Sequence, residues 1–265
     1  MAELSTTDVQ LRGAEFTCAM VTKLDRAFWT QWAPQGWESD TFDFIEETVA
    51  PGTLFLDFGA WLGPFSLFAA SKGANVIALE PDPVAYGRAA QNVALNQDQL
   101  PGTIDLRQQA FDREKKKVRI FGGKNGFGTS GSSLHLINLA STVVPTITVD
   151  EILVLSEGSD AASIKVDIES HEFHCAADLA RLRRELACPM HISIHPGLLR
   201  RSLSLSRLPG NIDAEVEDRT LELIDQFSDA QIDGTNEALS AAGLVRKLMR
   251  TPEGALRDFT LVLRN

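Results

Sequence analysis
Apolar residues fall in short runs separated by segments with helical spacing. Thr53–Phe58, Asn75–Leu79, Ile104–Gln108, Ser163–Ile168, His191–His195 and Thr260–Arg264 are predicted as strands. Pro64–Ser71, Val84–Asn96, Glu172–Leu186 and Glu217–Phe227 read as helices, and Pro83 stands where a helix start tolerates proline. Short runs at Val118–Phe121, Leu134–Ile137 and Thr146–Val149 are expected to pair as strands. Leu244–Met249 reads as a strand, antiparallel to Thr260–Arg264 at one edge. Apolar strands alternating with helices predict a mostly parallel sheet covered on both faces. Two stretches read as loops: GGKNGFGTSGSS at 122–133 and RRSLSLSRLPGNIDAEVEDR at 200–219.

The first strand hands over to the first helix through Asp57, Gly59 and Gly63. In an open parallel sheet, ligands bind at the carboxyl ends of the strands, and glycine there lets backbone approach them closely. The spacing D-x-G-x-x-x-G is not the three-glycine turn of a pyrophosphate site. A carboxylate repels pyrophosphate and suits a cofactor with a cationic part and no phosphate. The next strand ends in Glu80, an acid placed to accept hydrogen bonds from two ribose hydroxyls. Together these features point to S-adenosylmethionine. Either feature alone would be no more than a tight turn or a surface acid.

Composition narrows the classes. The chain has 265 residues, 44% of them hydrophobic, and a formal charge of −11. Such acidity argues against nucleic acid or an anionic membrane as a partner. No run is long and apolar enough for a membrane span, and MAELSTTDVQ lacks the features of a signal peptide, so a cytoplasmic protein is expected. Cys18, Cys175 and Cys188 form no CxxC pair, which argues against disulfides and zinc. No metal site is expected, and the oligomeric state is open.

LFLDFGAWLGPFSLFAA followed by VIALEPDP resembles the FkbM-type methyltransferases, whose first motif runs Asp-Val-Gly-Ala-Asn-Ile-Gly. SSLHL at 132–136, TITVDEIL at 146–153, IKVDIESHE at 164–172 and the lead-in WESDTFDFIEETVAPGT are similar to further segments of that family. The resemblance covers roughly residues 37–197. It departs at Trp61, where the family has Asn, and at Ser170, where it has Gly. Ser170 could cap the following helix. The resemblance implies a Rossmann-like class I methyltransferase fold: a mostly parallel seven-stranded sheet with helices on both faces and an antiparallel edge strand. It also implies S-adenosylmethionine as cofactor, and usually methyl transfer to a hydroxyl oxygen of a small molecule or sugar. On this basis 37–265 is expected to be one domain, preceded by an extension over 1–36. The rivals are an NAD-type oxidoreductase and a module that binds cofactor without catalysis.

Cofactor contacts are expected from Glu38, Asp57, Gly59, Ala60, Trp61, Gly63, Glu80, Pro81, Asp82, Gln109, Ala110, Phe111, Ser133 and Asp167. Phe111 is placed to stack on the adenine, or is a core aromatic. Asp112 either accepts from the adenine amino group or starts a turn. Glu38 binds the cofactor's amino group, shapes the acceptor pocket, or complements a helix start. The glycine loop 122–133 is expected to reach over the pocket. Asp167 and Glu169, alternating with Ile168 at a strand tip, face cofactor or acceptor, or pair with Lys165. His195 and His171 are the candidate proton acceptors, or hydrogen-bonded structural histidines, His195 being favoured for its place on the ligand rim. Arg200, Arg201 and Arg207 would attract an anionic acceptor, or belong to a polar linker.

Overall fold
The computed structural model describes residues 5–123, 126–129, 132–134, 140–205, 211–233 and 240–264. A hairpin, β1 (Thr6–Leu11) and β2 (Ala14–Ala19), precedes α1 (Lys23–Ala27), a π-helical turn (Phe28–Trp32) and α2 (Ser39–Thr48). β3 (Leu54–Phe58), α3 (Pro64–Ser71), β4 (Asn75–Leu79), α4 (Pro83–Asn96) and β5 (Thr103–Arg107) then alternate. β6 (Ala110–Phe111), β7 (Lys117–Phe121) and β8 (Ser141–Ile147) form a side sheet, followed by α5 (Val149–Leu155). β9 (Ala162–Val166), α6 (Glu172–Leu186), β10 (Met190–Ile194), α7 (Pro196–Leu205), α8 (Ile212–Asp225), β11 (Gln231–Ile232), α9 (Ala241–Leu248) and β12 (Phe259–Arg264) complete the order.

Among the described residues the main sheet has seven strands in the order β11-β12-β10-β9-β3-β4-β5. β10, β9, β3, β4 and β5 are parallel, and β12 runs antiparallel between β10 and β11. The antiparallel strand therefore lies one place in from the edge, with the two-residue β11 outside it. Every residue of β3 is buried. Leu54, Leu56 and Phe58 join a core under α6, α8 and α9, while Phe55 joins a second core under α2, α3 and the hairpin. That alternation is the period-2 geometry of a strand with both faces covered. Two buried asparagines of α4 tie the hairpin down: Asn92 Oδ1 accepts from Ala19 N and Asn96 Oδ1 from Thr17 N, each at 2.9 Å. They satisfy an edge that would otherwise stay open. No helix among the described residues is long and apolar enough to cross a membrane.

Three local expectations change. Leu244–Met249 is not a strand: Ser240 accepts from Gly243 N at 3.2 Å and starts α9, whose Leu244 and Val245 are buried. Short apolar runs do not separate helix from strand by period alone. The polar stretch 200–219 is largely helical, in α7 and α8, and Arg200 is spent on Asp213 at 2.7 Å. Thr146–Val149 straddles the end of β8 and the start of α5, where Thr148 and Glu151 form a capping box. Lys117–Phe121 does pair with Ser141–Ile147. Residues 135–137 of the run Leu134–Ile137, like Arg207, lie outside the described residues.

Candidate functional site
Strand order reverses between β3 and β9, since β4 and β5 lie to one side of β3 and β9 and β10 to the other. A cavity of about 690 Å³ opens there at the carboxyl ends of the strands. Its wall includes Glu38, Gly59, Ala60, Trp61, Glu80, Pro81, Gln109, Ala110, Phe111, Asp167, Glu169, His171 and His195.

The turn after β3 is built by backbone. Gly59 N and Ala60 N donate to Leu79 O at 2.9 and 3.0 Å. Gly59 has φ +86°, and a Cβ there would sit 1.8 Å from the carbonyl oxygen of Asp167. This glycine is required by the close approach of β9, not only by a ligand. Gly63 (φ +84°) precedes α3 and lies outside the cavity lining. Asp57 is wholly buried and also does not line the cavity. Its Oδ2 accepts from Ser66 Oγ at 2.6 Å and its Oδ1 lies 3.3 Å from Lys165 Nζ, directly across the ladder. Lys165 also donates to Gly59 O at 2.7 Å, so the acid of the turn and the lysine of β9 hold the turn from beneath.

Glu80 closes the second side. Its Oε2 accepts from Trp61 N and its Oε1 from Asp82 N, both at 2.7 Å. Burial pushes its carboxyl up to about 8 against the pull of these amides. Asp82 is a support rather than a wall residue. Its Oδ1 caps α4 through Val84 N and Ala85 N, and its Oδ2 accepts from Gly128 N and Ser132 Oγ at 2.7 and 2.5 Å. Phe127, Gly128, Thr129 and Ser132 line the cavity, so the described part of the glycine loop does reach it. Ser133 donates to Glu169 O at 2.9 Å and is not among the lining residues. Phe111 stacks on Phe58 at 4.9 Å, and Gln109 Nε2 donates to Thr146 O at 3.3 Å.

At the other end stand Asp167, Glu169 and His195, whose ligand atoms lie within 4.8 Å of one another. Strand alternation does not explain this grouping, because β9 ends at Val166. Glu169 and Ser170 are consecutive left-handed residues, with φ +54° and +74°. Ser170 Oγ is buried, has no hydrogen-bond partner among the described residues and does not cap α6. His195 Nδ1 lies 3.0 Å from Glu172 Oε1, which also accepts from His195 N at 2.9 Å, and its Nε2 lies 3.3 Å from Asp167 Oδ1. Burial opposes a charge on this ring, but Glu172 and then Asp167 outweigh it and hold the pKa well above the usual imidazole range. With both ring nitrogens facing carboxylates, His195 is held in place by Glu172 and Asp167. Burial raises Asp167, yet Lys165 and His195 overcome it and bring the group to about 2. Burial raises Glu169 to about 8, and burial with the Asp167 charge does the same to Glu38. His171 is set apart: its Nε2 faces Asp112 Oδ2 at 3.4 Å. Asp112 is buried on that histidine and on Lys116, away from the cavity lining.

The pattern of predicted strands did not reveal the aromatic wall. Trp32 and Trp37 line the cavity beside Trp61, and Trp37 stacks on Phe65 at 5.3 Å. The available signal was that all the tryptophans fall within residues 29–61. Lys165 was read only as an ion-pair partner, and Arg88 and Glu172 only as parts of helices.

The donor set fits a phosphate-free nucleoside with a cationic end. Glu80 offers acceptors on one side, Phe58 and Phe111 an apolar surface, and Asp167 a negative charge beside Glu38 on the other. Four acids on the wall suit no pyrophosphate.

Residues 56–185 match the methyltransferase FkbM domain family. The hexuronic acid methyltransferase AglP of Haloferax volcanii is 22% identical over 179 residues, covering 66% of this chain and 71% of that protein. Among solved structures, the methyltransferase FkbM of Methylobacillus flagellatus KT is 16% identical with a TM-score of 0.45, over 88% of this chain and 55% of that one. The O-methyltransferase of Bacillus cereus, in complex with S-adenosylhomocysteine, is 11% identical with a TM-score of 0.44, over 88% of this chain and 81% of that one. Residues 56–185 thus carry a methyltransferase FkbM domain, and the chain is a methyltransferase that uses S-adenosylmethionine.

Proposed function
We propose that this methyltransferase acts on a hydroxyl oxygen of a neutral small molecule or sugar. The observation that carries the reading is one cavity with Glu80 at one end and the Asp167–Glu169–His195 group at the other. When bound, the cofactor supplies a methyl group on a sulfonium sulfur, already a good leaving group. Glu80 accepts from the ribose, Gln109, Ala110 and Phe111 border the base, and Gly59, Ala60, Trp61 and Pro81 lie along the nucleoside. Glu38 and Asp167 take the amino group. Asp57, Gly63, Asp82 and Ser133 act from behind by fixing the turn and the loop. The acceptor oxygen lies beside Glu169 and His195, where holding it in line with the methyl group is the main contribution of the protein.

The acceptor class follows from charge and shape. Among the described lining residues the lysine and arginine are Lys165 and Arg88, and both are engaged: Lys165 on Asp57 and Gly59 O, Arg88 on the buried Asp25 and Gly128 O. With no cation bound, a carboxylate on the acceptor would meet Glu38, Asp167 and Glu169 and no unengaged lysine or arginine among the described lining residues. A neutral ring against Trp32, Trp37 and Trp61 meets no such cost. The named activity of AglP supports a sugar acceptor, though this cavity favours an uncharged one. The net charge supports a reading without nucleic acid or membrane. The test is transfer of radiolabelled methyl from S-adenosylmethionine to matched neutral sugars and uronic acids. Turnover confined to the uronic acids would refute the acceptor reading, and failure of the folded protein to bind S-adenosylhomocysteine would refute the cofactor site.

A further inference from the structure
We propose that Asp167, Glu169 and His195 form a divalent-cation site that holds the acceptor oxygen. This rests on the acceptor end of the cavity proposed above. Two carboxylates and one imidazole, with ligand atoms within 4.8 Å of one another, match a small cation with oxygen and nitrogen ligands. No thiolate takes part; the two carboxylates suit Mn²⁺ or Mg²⁺, and the imidazole also admits Fe²⁺ or Zn²⁺.

A second observation lies outside the three ligands. Glu172 is fully buried, and its Oε1 holds both the backbone N and the Nδ1 of His195. A carboxylate behind the far nitrogen of a histidine is the arrangement that turns the other nitrogen toward a metal. Here that other nitrogen, Nε2, faces Asp167 Oδ1 across 3.3 Å. The second oxygen of Glu172, Oε2, is buried and has no hydrogen-bond partner among the described residues. Charge points the same way. Glu38, Asp167, Glu169 and Glu172 crowd this end of the cavity, while Lys165 is committed to Asp57 and lies 3.9 Å from Asp167 Oδ2.

The chemistry closes. The acceptor hydroxyl takes an open position on the cation, which makes its proton more acidic. The proton passes to water at the cavity mouth. The oxygen's electron pair forms the new C–O bond, and the pair of the broken C–S bond stays on sulfur as a neutral thioether. No histidine has to serve as a free base.

The experiment is a Mn²⁺ titration of the metal-stripped full chain, with free Mn²⁺ read by electron paramagnetic resonance, in the absence and presence of S-adenosylhomocysteine. One saturable site is expected in both. Glu172→Gln leaves all three ligands in place and should weaken Mn²⁺ about 10- to 100-fold. Asp167→Asn and Glu169→Gln should weaken it further. Mg²⁺ should compete for the site. Stripping with a chelator should abolish methyl transfer, and Mn²⁺ or Mg²⁺ should restore it. If the wild-type chain binds S-adenosylhomocysteine but no Mn²⁺, the cation site is wrong and the methyltransferase site stands. If Mn²⁺ binds and S-adenosylhomocysteine does not, the proposed cofactor placement fails instead. Mn²⁺ affinity unchanged in Asp167→Asn and Glu169→Gln would also overturn the proposal.

Discussion

Replacing Glu80 with Gln should change how cofactor affinity depends on pH, not only how strong it is. Both oxygens of Glu80 accept backbone N–H groups at 2.7 Å, yet burial pushes the carboxyl up to about 8. The nearby charge of Asp82 adds to the rise, and Lys165 opposes it. Two ribose hydroxyls are donors, so the ionised carboxylate is the form that receives both. With a pKa of about 8, roughly a tenth of the group is ionised at pH 7 and roughly nine tenths at pH 9. If only that form binds, the dissociation constant of S-adenosylhomocysteine should tighten about tenfold over this interval and level off above it. The sign is fixed: binding selects the deprotonated form, so affinity rises with pH through the raised pKa. Glu38 and Glu169 titrate in the same range, so the wild type must be compared with Glu80→Gln at each pH. The glutamine variant should lack the Glu80 share of the slope. At pH 9 it should bind about 10- to 150-fold more weakly, the worth of a charge-assisted hydrogen bond. Calorimetry at pH 7, 8 and 9 is the assay. Parallel slopes in the two proteins would show that Glu80 does not face the ribose.

Three further outcomes concern the frame of the site. Gly59→Ala should cost about 3 kcal/mol or more in urea unfolding, because φ is +86° and the new Cβ would lie 1.8 Å from Asp167 O; wild-type stability would show that the turn relaxes freely. Lys165→Met should cost about 3–5 kcal/mol by leaving Asp57 buried and unpaired, and adding Asp57→Asn should recover part of the loss. Thr148→Ala should lower stability by about 1 kcal/mol through loss of the α5 cap, with S-adenosylhomocysteine affinity unchanged in calorimetry.

The strands nearest the cavity were legible because they are buried on both faces. Leu54–Phe58 and Asn75–Leu79 carry continuous apolar runs, and the Asp82–Pro83 pair announces α4. The hairpin was legible in principle, since Val9, Leu11, Phe16 and Cys18 alternate around Arg12–Gly13, but short alternation of this kind is easily passed over. α7 was hidden by serines and arginines that face solvent, and α9 by an apolar run compatible with either period. At the site, the family motif brought attention to Asp57, but strand register assigns that acid to Lys165. The partnership of His195 with Glu172 crosses a whole helix, so no local spacing could reveal it. The same holds for Trp32 and Trp37, which belong to the segment between the hairpin and α2 and line the cavity only in the folded chain.

Asp82 joins the start of α4 to the described part of the glycine loop. One of its oxygens starts α4, and the other holds Gly128 and Ser132 of the loop beside the cavity. The first turn of α4 and the loop are therefore fastened by the same buried charge. Loss of this one carboxylate would leave four donors without their acceptor at once, Val84 N and Ala85 N on the helix end and Gly128 N and Ser132 Oγ on the loop.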